Sequence, residues 1–552
     1  MAAFARRRNG WEETEVQIIA VVPLVVSGGA AVLPAVVAAV ASIAAMVFNP
    51  RALFRLLRRR WLASSVVLGA MVFCMVVAVW WWRSSSPVRR AGRNAPHEAG
   101  RIDWAKVAED IMAQEQARQG SRNAAALAAD PPARAGGTVT AAPGLTASGG
   151  QDFSRVLYRG GTSPAGLIPL WSFKPEGTVF FGVPAIVGKR IYAAGCQSDL
   201  GGYTGLLACV DLESGKPLWQ TTESGGEPLR PFFSSPAVTG DGKFVVIGQG
   251  LHQDRDCSLL CFDAGTGQQV WAVKTPLHVE SSPAIFGDIA VVGAGAIEGD
   301  DGKAVGDPGF VFAVHIPDGK LLWKQPVNDP ESSPAIDGTG MVFIGSGCNG
   351  QAVVAIRSEP DEFLQAKHLD RIAWRTASTQ PMLAPVTLAG DMVIAAGGNG
   401  DMVHSGLKPQ GVVMALERQT GKVLWQTSFD DAVLGAVACQ GGRLMCPVRN
   451  GEVVALGLGD GRVLWRARVS GNAPVLAGCA VTGDRAYAVS NDGYLAALAT
   501  GDGKVLEKIY LNDQSRPGTG LSLSSPQVVE GRIIVGTESG GLRCLQGTGG
   551  AR

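Results

Sequence analysis

The sequence has no adjacent pair of cysteines and no Cys-x-x-Cys. Its ten cysteines are scattered, and the closest two, Cys257 and Cys261, have no second pair at a metal-like spacing. A cysteine-built metal centre and a dithiol redox motif are thereby excluded. Most of these thiols read as small buried hydrophobes, with one or two disulfides left open for an oxidising compartment. Histidine is also scarce: His252, His278, His315 and His404 belong to no HxxxH or HExxH pattern, so no helical zinc motif is present. Charge is low. Asp, Glu, Lys and Arg make up 18% of the 552 residues and the net charge is +1. That is too little for a disordered chain, and it supplies no basic field to attract nucleic acid.

Glycine, in contrast, is abundant at 73 residues, and 46% of the chain is hydrophobic. Many tight turns between short strands around a large core fit that balance. The turns recur. VESSPAI begins at Val279 and PESSPAI at Pro330. One unit reads SSPAVTGDGKFVVIGQG, a gap, then SLLCFDAGTGQQVW, and it ends at Trp271. Equivalent tryptophans stand at Trp171, Trp219, Trp271, Trp323, Trp374, Trp425 and Trp465, with Glu507 next in the series. Each unit holds four strand-like runs. In this second unit they start at Pro236, Phe244, Leu259 and Gln269.

Four short strands repeated at a period of about 50 residues predict a β-propeller, because stacking neighbours buries sheet faces that no single unit buries alone. First strands start at Pro184, Pro236, Pro283, Pro334, Pro385, Ala436, Cys479 and Pro526. The fold class is therefore all-β, an eight-bladed propeller of four-stranded antiparallel blades. The last unit lacks its fourth strand, and Leu167 to Phe173 is expected to supply it and close the ring. The seven tryptophans read as scaffold: a planar side chain on the outermost strand fills the gap where blades diverge, and its indole N–H finds an acceptor. The serines of the repeated SSPA (Ser235, Ser282, Ser333, Ser525) have no GxSxG around them and read as backbone-bonding groups at strand starts.

The first 154 residues differ. A basic tail, residues 1–15, precedes an uncharged apolar segment, 16–48, interrupted by Pro23, Ser27-Gly28-Gly29 and Pro34. It is long enough for one kinked span or a re-entrant hairpin. Residues 49–61 form a basic loop with five arginines, read as cytoplasmic. Residues 62–82 are an apolar run of transmembrane length ending in Trp80, Trp81 and Trp82. Residues 83–154 form a linker with one short amphipathic helix near Trp104. The propeller is assigned to 155–547, with a tail at 548–552. This helical anchor predicts an inner (plasma) membrane protein with its propeller on the extracytoplasmic, periplasmic side.

DLESGKPLW (Asp211 to Trp219), DAGTGQQVW (Asp263 to Trp271) and ERQTGKVLW (Glu417 to Trp425) resemble the PQQ-like, quinoprotein-type β-propeller repeat. The resemblance spans about residues 155 to 547. It implies either a quinoprotein dehydrogenase or a non-catalytic periplasmic propeller of the BamB-like branch. The dehydrogenases hold their quinone beside two adjacent cysteines and a Ca²⁺ bound by Glu, Asn and Asp. This chain has no such cysteine pair, so no cofactor is carried over, neither PQQ nor Ca²⁺. No catalytic and no cofactor-binding residue is assigned. The lipid-anchored cysteine usual in BamB-type proteins is absent from the sequence as well.

Loop length then points to a face. Connections between second and third strands are long in four units and collapse to Arg449-Asn450-Gly451 and Asn491-Asp492-Gly493 in two others. Long loops carry function more often than short ones. The partner-binding candidates are Gln197, Asp199 and Tyr203 in 195–205; His252, Asp254 and Arg255 in 248–257; Glu298, Asp300 and Asp301 in 295–309; and Asp401 and His404 in 397–411. For a metal ion the candidates are Glu280, Glu331, Asp300 and Asp301, each weighed against an ordinary solvated carboxylate. Glu280 and Glu331 matter most, because they occupy equivalent places before two neighbouring innermost strands.

The leading expectation is a protein-binding scaffold in the cell envelope, working with envelope or membrane proteins and not with nucleic acid, and not an enzyme. The alternatives are a PQQ- or other quinone-dependent oxidoreductase, or a ligand sensor, using the central funnel.

Overall fold

The computed structural model describes residues 163–199, 202–298, 303–403, 405–514 and 522–548. Among these, eight blade sheets follow one another along the chain; six are antiparallel meanders of four strands in sequence order, the first has a fifth short strand, and the eighth takes its outermost strand from the start of the domain. The third is typical: Ala284–Phe286, Ile289–Ala294, Phe310–His315 and Leu321–Pro326. The first strands are the shortest, two or three residues each, and those of neighbouring blades touch one another. They ring the axis, where eight chains converge and little room is left.

The ring closes as the repeat count requires. Leu167–Phe173 pairs antiparallel with Leu542–Gly547 and becomes the outermost strand of the eighth blade. Closure gives Leu542–Gly547 a partner on its outer side and binds the two ends of the domain to one blade.

Between each pair of consecutive blades lies one apolar cluster. Cys261, Trp271 and Leu259 of blade 2, for example, pack against Val292, Phe312 and Val314 of blade 3. The second strands read almost wholly buried, as in Phe244–Gly248 and Ile289–Ala294, because a blade is covered on both faces. This explains their near-continuous apolar runs in place of strict alternation.

Near the axis, serines join the blades. Ser234 Oγ donates to the carbonyl of Ser281 (3.1 Å), Ser281 Oγ to Ser332 (2.9 Å), Ser332 Oγ to Ala384 (2.9 Å) and Ser524 Oγ to Gly182 (3.0 Å). The second serine of each pair accepts from the blade before it: Val183 N to Ser235 Oγ, Ser235 N to Ser282 Oγ, Ser282 N to Ser333 Oγ and Gly478 N to Ser525 Oγ. The Ser-Ser of SSPA is thus a blade-to-blade clasp.

Three features differ from the sequence reading. Residues 195–205 are mostly not a loop: Arg190–Asp199 and Gly202–Asp211 form one long hairpin, and Thr178–Val179 pairs against its edge. Extending the ladder satisfies backbone groups that a loop would leave to water. In blade 2 the third strand likewise begins at Arg255, inside the expected loop. Blade 4 carries a short helix, α1 (Asp361–Ala366), between its third and fourth strands. Among the described residues no helix is long and apolar enough to cross a membrane. The two apolar runs, the basic loop and the linker helix expected from the sequence lie outside the described residues.

Candidate functional site

The connections between blades and the second-to-third loops share one face, since every blade runs in the same direction. At its centre is a cavity of about 170 Å³ on the axis. Each blade contributes one side chain to its upper ring. Six are apolar (Phe181, Phe233, Leu383, Leu434, Leu476, Leu523) and two are Glu280 and Glu331. Phe181 and Phe233 stack with centroids 5.2 Å apart. The two glutamates are thus an acidic sector in an otherwise apolar ring.

Glu331 has close polar partners. The Glu331 side chain is 15% exposed, and two imidazoles converge on its Oε1: His278 Nε2 at 3.0 Å and His252 Nδ1 at 3.1 Å. His278 is fully buried and precedes Glu280 by two residues in the blade 2–3 connection. His252 comes from the second-to-third loop of blade 2, its ring edge-on to His278 with centroids 5.2 Å apart. Its Nε2 lies 3.8 Å from Glu298 Oε2. One donor atom each of His252, His278, Glu280 and Glu331 lies within 4.8 Å of the others.

The electrostatics follow from burial and from crowding of like charge. Burial pushes the Glu280 carboxyl above the usual carboxylate range, and the nearby Glu331 charge adds to it. Burial acts on Glu331 in the same sense, but hydrogen bonds from His252 and His278 outweigh it and hold that group below its ordinary value. The Glu331 hydrogen bond raises His252 to about 9. Burial opposes protonation of His278, yet its bond to Glu331 and the Glu280 charge raise it. Beside them Asp329, two residues before Glu331, is raised to about 7 by burial and then by the Glu331 charge. Glu298, Asp329 and Cys348 form a second small cluster with donor atoms within 4.8 Å.

His278, Asp329 and Cys348 carried no motif in the sequence. The one usable signal was position: His278 and Asp329 stand two residues before Glu280 and Glu331 in equivalent connections.

The remaining candidates are spread over the same face. Gln197 donates from Nε2 to the Glu176 carbonyl (2.9 Å), and Asp254 Oδ2 accepts the Leu251 N–H (2.9 Å). Arg255 is exposed at the start of its strand. Asp199 ends a strand, and Asp300, Asp301 and His404 lie outside the described residues. Asp401 Oδ1 accepts the Val403 N–H (2.6 Å), and its carbonyl accepts Arg449 Nε from the next blade (3.0 Å). Ser405 Oγ donates to Asp431 Oδ2 (2.9 Å). The blade 5 loop is therefore pinned at several points while Val403 and Leu407 project from it, 62% and 106% exposed. Tyr203 on the blade 1 hairpin and Val305 in the blade 3 loop are exposed on the same face, at 70% and 53%.

The tryptophans lie at the blade junctions. Indole N–H groups donate to backbone carbonyls of the following blade: Trp171 to Leu212, Trp219 to Ala264, Trp271 to Ile316, Trp323 to Ser358, Trp374 to Arg418, Trp425 to Leu458 and Trp465 to Thr500, at 2.5–3.1 Å.

A tricarboxylated quinone fits this cavity poorly. Its lining has two glutamates, seven large apolar groups (the six of the ring and Met402) and no lysine or arginine to meet the acid groups.

Residues 168–362 and 409–552 match the family profile described as outer membrane protein assembly factor BamB. Over 268 residues, 46% of this chain, the sequence is 29% identical to outer membrane protein assembly factor BamB of Burkholderia pseudomallei (strain K96243), and the match spans 60% of that relative's length. Among solved structures, BamB from Moraxella catarrhalis superposes with a TM-score of 0.51 at 16% identity, over 70% of this chain and 100% of its own. Quinohemoprotein alcohol dehydrogenase from Comamonas testosteroni does so with a TM-score of 0.52 at 15% identity, over 73% of this chain and 81% of its own. At such identities these two structures speak for the fold alone.

Proposed function

Because this chain belongs to the family described as outer membrane protein assembly factor BamB, we propose that its propeller is a protein-binding scaffold of the cell envelope that works in protein assembly. The observation that carries this reading is the loop face. Tyr203 is exposed on the long hairpin of blade 1, and Val305, Val403 and Leu407 on long connections of blades 3 and 5, while the second and third strands of blades 6 and 7 are joined by tight turns. Large exposed side chains on a paired hairpin and on a pinned loop such as that of blade 5 suit partner anchoring, because little conformational freedom is lost on binding. The polar candidates Gln197, Asp254, Arg255 and Asp401 surround them as a rim.

The same reading assigns segments 16–48 and 62–82 to a membrane anchor, 83–154 to the tether and 155–547 to a periplasmic propeller. Enzymatic turnover forms no part of it.

The test is crosslinking in intact membranes followed by mass spectrometry, comparing wild type with a Tyr203→Asp, Val403→Asp, Leu407→Asp triple variant. The variant should lose envelope partners while keeping its melting temperature. Equal recovery of partners sinks the loop-face assignment. A reporter fused at residue 150 tests the sidedness, and activity in the cytoplasm would refute it.

A further inference from the structure

We propose that His252, His278, Glu280 and Glu331 form a binding site for one divalent first-row transition metal ion, of the class represented by Zn²⁺, at the axial mouth of the propeller. The proposal does not depend on what the loop face binds.

The donors fit the ion in kind. Two imidazole nitrogens with two carboxylate oxygens make an N₂O₂ set that suits Zn²⁺, Co²⁺ or Fe²⁺. Calcium and magnesium prefer oxygen-only shells and more ligands. Two carboxylates also balance a 2+ charge, so the buried complex is neutral.

The donors fit in geometry. His278 Nε2 and His252 Nδ1 already stand 3.0 and 3.1 Å from Glu331 Oε1. Ligand atoms about 2.0–2.2 Å from a tetrahedral ion lie slightly farther apart than that, and well inside the 4.8 Å that bounds this group.

Three further observations point to a ligand and not to a plain ion pair. His278 is 0% exposed, and the one hydrogen-bonding contact of its ring is the Glu331 oxygen it shares with His252. Burying an imidazole on one shared contact is costly, and a metal bond at Nε2 offsets it. Space is kept open beside the same atoms: a Cβ on Gly295 would lie 2.5 Å from His278 Nε2 and 2.7 Å from Glu331 Oε1. Finally, Glu280 and Glu331 lie at the cavity wall, so an ion there has a route in from the axis.

Ligation requires neutral imidazoles and ionised carboxylates, so binding is linked to release of whatever protons these groups carry.

The experiment uses the full chain in detergent, stripped with a chelator and titrated with Co²⁺ and then Zn²⁺. One Co²⁺ per chain should bind, with the intense visible absorption of four-coordinate N/O ligation, and Zn²⁺ should displace it. Zn²⁺ should also raise the melting temperature. His252→Ala and Glu280→Gln should each weaken Co²⁺ binding at least tenfold and abolish the thermal shift. His278→Ala is less informative because that ring is part of the packing; the other two variants alter partly exposed groups and decide the matter. Absence of saturable Co²⁺ binding overturns the proposal. So does binding unchanged in the His252→Ala, Glu280→Gln double variant, or displacement of Co²⁺ by Ca²⁺ as readily as by Zn²⁺.

Discussion

Glu507 Oε2 accepts the backbone N–H of Leu167 at 2.9 Å, across 340 residues of chain. Glu507 occupies the place that tryptophan holds in the other complete units. Leu167 begins the strand that closes the ring. Arg485 Nη1 stands 3.5 Å from the other carboxylate oxygen. The one junction without the indole therefore ties the closing strand by a charged hydrogen bond. Glu507→Ala leaves the Leu167 N–H and Arg485 without this partner and should cost about 1–3 kcal/mol. Glu507→Gln keeps an acceptor and should cost less. Denaturant unfolding of both variants checks the order, and an equal loss would contradict it.

Trp323 allows ring and hydrogen bond to be separated. Its indole N–H donates to the Ser358 carbonyl at 3.0 Å, and the Arg371 guanidinium lies 4.6 Å above the ring. Trp323→Phe keeps most of the apolar surface and loses the donor, an expected cost of about 1 kcal/mol. Trp323→Ala also empties the blade 3–4 junction and should cost about 3–5 kcal/mol. Thermal and chemical melts of the two variants measure the difference.

Gly267 and Gly287 have similar backbones, with φ of +73° and +56°. A Cβ on Gly267 would come within 2.5 Å of the Trp219 ring, while one on Gly287 meets nothing within 4 Å. Gly287→Ala should cost only the left-handed backbone penalty, roughly 1–2 kcal/mol. Gly267→Ala should cost clearly more, because the indole must move. Comparable melting temperatures for the two variants would argue against close packing of the indole on this turn.

Cys348 is the exposed cysteine among the nine described. Burial of its sulfur, followed by the charges of Asp329, Glu298 and Glu331, pushes the thiol up to about 12. The thiolate is the reactive form, so alkylation near neutral pH should be slow despite the exposure. Its rate should keep climbing with pH beyond about 8.5, where an ordinary thiol levels off. Iodoacetamide labelling followed by peptide mass spectrometry reads this directly, and a plateau near the ordinary value would refute it.

Much of the architecture was legible in the chain because a propeller is built from local repeats. The tryptophan period and the Gly-rich turns sit within units of about 50 residues, and each repeat states its own four strands. The partner for LIPLWSF was also legible, since the last unit is one strand short. The Gly195–Gly205 stretch was misread because its polar, glycine-containing sequence carries no alternation. Its strands are held by backbone pairing, which side-chain patterns do not report. The four-residue cluster at the axial mouth was legible only in half. Glu280 and Glu331 stood out as unlike residues in like positions. His252 and His278 did not, because no local spacing joins them to Glu331.

The repeat, the number of blades and the means of closing the ring are written in the chain, because each follows from patterns within a unit or from counting units. Which side chains meet at the axis is a matter of how the blades pack. Residues 252, 278, 280 and 331 come from a loop of one blade and two successive connections. Their meeting depends on how far each blade rotates about the ring, a packing angle set by the apolar clusters between blades, and no short stretch of chain encodes it.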